Sequence, residues 1–229
     1  VEDWIVPQYR EPGAALVRGM PLKDMICQFM TNAGDPAKGR QMPCHYVYSK
    51  GHYLSISSPV GTQIPHAMGV AWGMKLRRER SAVLVYFGDG ATSTPDFHVA
   101  MNFAGVFRVP CVFFCNNNQW AISLPVSRQT ASATLAEKAH AYGMNGVRVD
   151  GMDALAVFGA VRQAATAARE GTGPSLVEAL TYRFGPHSSS DDPSRYRDEN
   201  EAASWRAHDP LVHFRRCLER LGWWDENRE

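Results

Sequence analysis

The chain has 229 residues, 45% apolar and 21% charged, with 24 basic against 23 acidic side chains and a formal charge of +1. That composition can bury a core and is not that of a disordered chain, and so even a charge gives no electrostatic footprint for nucleic acid or an anionic membrane. No apolar run reaches transmembrane length, and one large domain suits the size.

In chain order, residues 41–58 are rich in Tyr, His, Ser and Gly without a clear period, and are expected to form a long structured loop. A basic cluster, Lys75, Arg77, Arg78 and Arg80, closes a helical pattern, where cations suit the negative end of the dipole. Residues 82–87 are an apolar, β-rich run. Pro95–Phe107 is a predicted helix with Phe97, Ala100, Met101 and Ala104 on one face, Thr94 as N-cap and Pro95 at the first helical position. Residues 111–115, 147–149 and 175–182 are further strand-like runs, and residues 153–169 form an Ala-rich amphipathic helix. Strands alternating with helices at this spacing predict an α/β fold with a doubly wound parallel sheet. Ligands then bind outside the carboxyl ends of the strands.

Residues 184–199 are polar, Pro-punctuated and charge-dense, as befits a surface loop able to switch between order and disorder. Residues 222–226 read as a helix start with no helix after it, and the chain has no initiator Met, so it is expected to be a fragment beginning and ending inside a longer subunit. Cys27, Cys44, Cys111, Cys115 and Cys217 show neither a C-x-x-C pair nor zinc spacing. Cys111 and Cys115 lie in an apolar run and are expected to be buried thiols.

The chemistry is carried by Gly88-Asp89-Gly90 at the end of one strand and Asn117-Asn118 at the end of the next, with twenty-six residues, 91–116, between them. The bare Gly-Asp-Gly is a common turn, but the two segments bracket one helix and so meet at one sheet edge. Asp89, the Asn118 side-chain oxygen and the Trp120 carbonyl would give Mg²⁺ half an octahedron of oxygens, leaving the rest to a diphosphate and water. Gly88 and Gly90 allow backbone to approach phosphate, and the helix opening at Thr94 is expected to point free N–H groups the same way. No G-x-G-x-x-G follows a strand, which argues against a dinucleotide-binding domain.

This arrangement resembles the thiamine-diphosphate motif. Together with Gly-Arg-Gln-Met-Pro (39–43), Ile-Ser-Ser-Pro (56–59), Thr62-Gln63-Ile64-Pro65, Trp120-Ala121-Ile122-Ser123, Val149-Asp150-Gly151 and the run from His187 to Arg197, it resembles the alpha subunit of branched-chain 2-oxo acid dehydrogenases across the whole chain. The resemblance implies a thiamine-diphosphate-binding fold in one domain over 1–229, and an oxidoreductase of the 3-methyl-2-oxobutanoate dehydrogenase type. Such an enzyme decarboxylates branched-chain 2-oxo acids and transfers the acyl group to a lipoyl group on an acyltransferase component. It also implies an α2β2 heterotetramer with a beta subunit that carries the Glu activating the aminopyrimidine, and a bacterial cytoplasmic or mitochondrial matrix location. The alternatives are a pyruvate or acetoin dehydrogenase alpha subunit, or a non-catalytic scaffold paralogue.

Residue by residue, the resemblance implies Mg²⁺ on Asp89, Asn118 and the Trp120 carbonyl, and Gly88, Gly90, Ala91 and Asn116 beside the diphosphate. Tyr9 and Arg10 would reach the diphosphate, with Gln8 and Tyr9 at the substrate entrance. Ser58 and Val60 would flank the aminopyrimidine and reacting carbon, and His187 would stand near the diphosphate and substrate; Tyr9, Ser58 and His187 are the expected catalytic residues. Ser57, Pro59, Thr62 and Gln63 match a monovalent cation site for K⁺, although Thr62 and Gln63 also suit a helix cap. Ser188 matches a phosphorylation position, where phosphate would add ~1.5–2 negative charges beside Asp191 and Asp192. Asp198 occupies the second such position, which argues against kinase control. Two departures stand out: Asn116 replaces a diphosphate-binding Arg, and Thr94-Pro95 replaces a Glu-Gly-like pair.

Overall fold

The computed structural model describes residues 2–228. The chain opens with a short strand, β1 (Trp4–Val6), and two small helices, α1 (Pro12–Val17) and α2 (Leu22–Phe29). After the irregular segment comes α3 (Gln63–Leu76), then β2 (Val83–Gly88), α4 (Pro95–Phe107) and β3 (Cys111–Asn117). A hairpin of β4 (Trp120–Ala121) and β5 (Leu124–Pro125) precedes β6 (Asn145–Asp150), α5 (Ala154–Arg169) and β7 (Ser175–Leu180), and α6 (Glu199–Arg206) and α7 (Pro210–Arg220) follow.

The main sheet has the order β1-β2-β3-β7-β6, with every pair parallel. Parallel strands need covering on both faces. On one face α3 and α4 bring Ile64, Ala67, Phe97 and Met101 against Val83, Val85, Phe113 and Leu176. On the other, Ala164 and Ala168 of α5 pack on Val112 and Val177. Each large apolar side chain so enclosed contributes roughly 1.5–3 kcal/mol. The doubly wound parallel sheet is therefore present as expected. A satellite cluster of Met20, Met25, Tyr46, Tyr53 and Ile56 ties α1 and α2 to the irregular segment.

Local chemistry sets the boundaries. The Thr94 hydroxyl accepts from the Phe97 N–H at 3.4 Å, and Pro95 occupies the first turn, so α4 starts where the sequence predicts. At its other end the Phe107 and Arg108 carbonyls accept from Lys75 Nζ at 2.7 and 3.3 Å. One member of the basic cluster that closes α3 thus caps the neighbouring helix as well. Asp153 caps α5 by accepting from the Leu155 and Ala156 N–H groups. The strand expected over 147–149 is longer because all of Asn145–Asp150 pairs with β7, whereas the one expected over 175–182 stops at Leu180. The end of the chain carries a 3-10 turn, Glu226–Arg228. Cys111 and Cys115 are buried, and their burial pushes both thiols far up from the usual range.

Candidate functional site

Because the sheet is parallel, the carboxyl ends of β2, β3, β6 and β7 share one edge. A cleft of about 620 Å³ opens there, bordered by Gly88, Asn116, Gly151 and Thr181 at the strand ends. Its size is that of a small-molecule site. Tyr9, Arg10, Ser58, Val60 and His187 face it from loops.

The sheet-edge wall carries the oxygen donors. Asp89 opens a 3-10 turn, Asp89–Ser93, and is 1% exposed, yet it borders the cleft. Burial raises its pKa, opposed by hydrogen bonds from the Gln129 side chain and the Asn118 N–H and by the Arg183 charge. Asp89 and Asn118 therefore converge. Asn118 Oδ1 also accepts from the Trp120 N–H at 3.1 Å, and the Trp120 carbonyl accepts from Arg183 at 3.3 Å. Amide and carbonyl oxygens have two lone pairs each, so both keep one for a cation. One carboxylate and two neutral oxygens form a hard donor set that fits Mg²⁺.

This turn is strained. Gln119 (φ 70°) and Ile122 (φ 55°) bracket Trp120 in the left-handed region, at roughly 1–2 kcal/mol each. Hydrogen bonds hold the strain: Gln119 N–H to Asn117 Oδ1 at 3.0 Å, Gln119 Nε2 to the Thr181 carbonyl at 3.1 Å, and Arg183 Nη2 to the Ile122 carbonyl at 2.8 Å. The turn so held keeps Asn118 and Trp120 on the border of the cleft. Asn117 faces the other way, donating to the buried Glu178 carboxylate at 2.7 Å.

One expectation for this wall gains a further reason and another changes. A Cβ on Gly90 would come within 2.8 Å of the Ala121 Cβ, so this glycine is required by the β4 hairpin packed on it. Thr94 does not border the cleft; it packs beneath Gly61, and the turn Asp89–Ser93 lies between the start of α4 and the site. The N–H groups of α4 are thus not a wall of the site.

The loop wall is held by a charged network. Arg10 Nη2 donates to the His187 carbonyl at 2.8 Å and lies 3.4 Å from its Nδ1. Burial, then Arg10 and Arg183, hold the imidazole below its ordinary pKa, with Asp191 opposing them. The shift favours the uncharged imidazole. The Asp191 carboxylate accepts from the His187 N–H at 2.7 Å and from the Tyr196 hydroxyl at 2.6 Å, and Arg183 donates to that hydroxyl oxygen at 2.8 Å. Arg197 holds the Arg183 and Phe184 carbonyls. The segment 184–199 is thereby ordered over one side of the cleft, and Ser188 is exposed on it.

At the suggested monovalent site, the Thr62 hydroxyl oxygen lies 2.7 Å from Ser57 Oγ and 3.0 Å from the Pro59 carbonyl, while Gln63 Nε2 donates to the Tyr86 carbonyl at 3.0 Å. Thr62 makes no capping hydrogen bond, so the helix-cap alternative is not realised. Ser57, Pro59 and Gln63 border the cleft and Thr62 stands behind them. Asn116 accepts from Thr181 Oγ1 at 2.7 Å, and the guanidinium groups on the cleft are those of Arg10 and Arg183.

Sequence reasoning missed Gln129, Arg183, His45 and Glu11. Gln129 Nε2 donates to Asp89 Oδ2 at 2.8 Å and lies 3.2 Å from the Leu124 carbonyl, forty residues from its target. Arg183 gave only the faint signal of a lone cation at a strand end. His45 sits behind Ser58, 2.7 Å from its hydroxyl. Glu11 is a second carboxylate on the cleft; burial raises its pKa, and it accepts from the Gln8 N–H at 3.0 Å.

The family model for the dehydrogenase E1 component matches residues 1–229. The chain is 46% identical over 229 residues to the mitochondrial 2-oxoisovalerate dehydrogenase subunit alpha 2 of Arabidopsis thaliana, covering all of this chain and 48% of that protein. It is 46% identical over 227 residues to a 3-methyl-2-oxobutanoate dehydrogenase subunit alpha of Mycobacterium tuberculosis, covering 99% of this chain and 59% of that protein. To the mitochondrial 2-oxoisovalerate dehydrogenase subunit alpha of Homo sapiens the identity is 43% over 228 residues, with 99% and 51% covered. The chain thus spans about half the length of the relatives it matches. With its parallel sheet and its cleft at the strand ends, the chain belongs to the dehydrogenase E1 component family.

Proposed function

We propose that this chain is the cofactor-holding part of the alpha subunit of a branched-chain 2-oxo acid dehydrogenase, binding thiamine diphosphate through Mg²⁺. The observation that carries this reading is that Asp89, Asn118 and Trp120 border one cleft with Arg10 and His187, and that the Asn118 N–H bonds the Asp89 carboxylate. The three oxygens would take half of an octahedral shell, with phosphate oxygens and water completing it. Gly88, Gly90, Ala91 and Asn116 would border the diphosphate, and the Arg10 fork would bind its oxygens. K⁺ at Ser57, Pro59, Thr62 and Gln63 would stiffen the loop that carries Ser58 and Val60.

Bound there, thiamine diphosphate supplies the nucleophilic carbon and the electron sink for decarboxylation of a 2-oxo acid. The chain's own residues position and protonate. His187, whose pKa is lowered by burial and then by its cationic neighbours, could take or give a proton beside the reacting groups. Gln8 and Tyr9 border the mouth, and Ser58 and Val60 the side facing the reacting carbon. The cleft's carboxylates are Asp89 and Glu11, and Glu11 is engaged by the Gln8 N–H. The resemblance to the family assigns the Glu that activates the aminopyrimidine to a beta subunit in an α2β2 assembly. Exposed apolar side chains at the cleft's rim, Val60 (63%) and Ile122 (51%), suit closure by such a partner. The acyl group would pass to a lipoyl-bearing acyltransferase component docking over residues 184–199. Phosphate on Ser188 would place its charge next to Asp191 and oppose that loop's order.

The names of the relatives support the branched-chain substrate class and a mitochondrial or bacterial setting. No helix among the described residues is long and apolar enough to cross a membrane. The test is turnover of 3-methyl-2-oxobutanoate against pyruvate by the full-length subunit assembled with its beta partner, Mg²⁺ and thiamine diphosphate. The branched substrate should be preferred, and the alpha chain alone should turn over neither. A preference for pyruvate would move the assignment to a pyruvate dehydrogenase, and no binding of the cofactor would leave a scaffold protein.

A further inference from the structure

The irregular segment places a buried histidine directly behind a serine on the cleft wall. His45 Nδ1 is 3.0 Å from the Pro43 carbonyl, and its Nε2 is 2.7 Å from Ser58 Oγ. A carbonyl only accepts, so Nδ1 carries the proton, and in the neutral ring Nε2 is a bare lone pair. The Ser58 hydroxyl must then donate to it. The other acceptor near Ser58, the Met42 sulfur at 3.9 Å, is distant and weak and does not compete. The hydroxyl hydrogen is thereby turned away from the cleft, and the oxygen presents its lone pairs to it. The Tyr9 ring stacks on the imidazole with an interplanar angle of 13° and centroids 6.3 Å apart. His45 therefore backs two wall residues while itself staying off the cleft surface.

We infer that His45 is a positioning residue that makes Ser58 a fixed hydrogen-bond acceptor for an N–H or O–H group bound in the cleft. A serine free to rotate could donate to an anion as readily as accept from a donor. Pinned by His45 it favours donors, such as the exocyclic amine of an aminopyrimidine. The inference rests on the thiamine-diphosphate reading and adds to it a residue outside the ligand shell.

The test is a double-mutant cycle in the assembled enzyme with full-length chains: wild type, His45→Phe, Ser58→Ala and the pair. The readouts are the dissociation constant for thiamine diphosphate with Mg²⁺ by calorimetry, and kcat and KM separately for 3-methyl-2-oxobutanoate. His45→Phe should weaken cofactor binding or kcat about tenfold, the worth of one well-made hydrogen bond, with KM moved less. The same change on the Ser58→Ala background should add less than about twofold. His45→Gln, whose amide oxygen reaches the Nε2 position, should recover most of the loss. An equal effect of His45→Phe with and without Ser58 would overturn the inference, since His45 would then act through packing alone. Should His45→Phe fail to assemble, the Gln variant decides: values as poor as those of Ser58→Ala would overturn it, and near-wild-type values would support it. A wild-type assembly that binds no thiamine diphosphate would instead sink the functional reading, before any variant is compared.

Discussion

The two walls of the cleft are built differently. The sheet-edge wall, Gly88–Ala91 and Asn116–Trp120, continues from strands paired on both sides, and its key carboxylate is 1% exposed. The loop wall, Arg10, Ser58, Val60 and His187, hangs on side-chain hydrogen bonds between residues far apart in sequence, Arg10 to His187 and Ser58 to His45 among them. A rigid edge can fix a cation against fixed oxygens, whereas a wall held by a few polar bonds can admit ligand and respond to a partner.

Breaking the rigid wall should have the largest effect. Asp89→Ala should weaken Mg²⁺-dependent thiamine diphosphate binding by roughly 100-fold or more, because it removes the only carboxylate of the donor set. Calorimetry on the assembled enzyme measures this, and retained tight binding would show that the metal sits elsewhere. Gln129→Leu comes next. Loss of a group that orients a metal ligand typically costs about 10–100-fold in metal affinity, readable as Mn²⁺ binding by electron paramagnetic resonance. Unchanged affinity would mean that the fold alone aims Asp89.

What could be read in advance follows the same division. Local signals placed the sheet edge: the strand run into Gly88-Asp89-Gly90, the Pro95 helix start, and the spacing to Asn117-Asn118. The residues assigned by resemblance to the cofactor and to Mg²⁺ all border one cleft; of the four suggested for K⁺, Thr62 alone does not. The strand β1 escaped because three residues have no period, and it pairs with β2 across almost eighty residues. Gln129 and His45 escaped because their partners are set by tertiary folding and nothing in their own neighbourhood marks them, and Arg183 because a lone cation at a strand end is a faint signal. The start of α4 stands back from the cleft because the 3-10 turn Asp89–Ser93 adds an offset that no periodicity reveals.

Changes away from the donor set should have smaller effects. Asp191→Asn removes the charge that accepts from the His187 N–H and the Tyr196 hydroxyl. Proteolytic cleavage within 184–199 should then rise about tenfold, as expected for losing a charge-assisted hydrogen bond, while the global melting temperature stays nearly constant. A shared fall in both would mean that the loop is part of the core. Ile122→Asn should go the other way, stabilising the protein by about 1 kcal/mol in chemical denaturation, because a β-branched residue is ill suited to φ 55°; destabilisation would show that its apolar side chain outweighs the strain. Arg10→Gln should weaken thiamine diphosphate binding by removing the guanidinium fork, and it also has a separate readout in pH. Taking away a cation that depresses the His187 pKa moves that pKa up toward its ordinary value. If neutral His187 is the working form, the acid limb of kcat/KM shifts to higher pH, and an unmoved limb would assign it to another group.

The most direct check is crystallographic. Crystals of the assembled enzyme with Mn²⁺ in place of Mg²⁺ and thiamine diphosphate should give one strong anomalous peak in the cleft, ligated by Asp89, Asn118 Oδ1 and the Trp120 carbonyl, with diphosphate oxygens opposite. A peak elsewhere, or Asp89 and Asn118 turned apart with the cofactor bound, would contradict it.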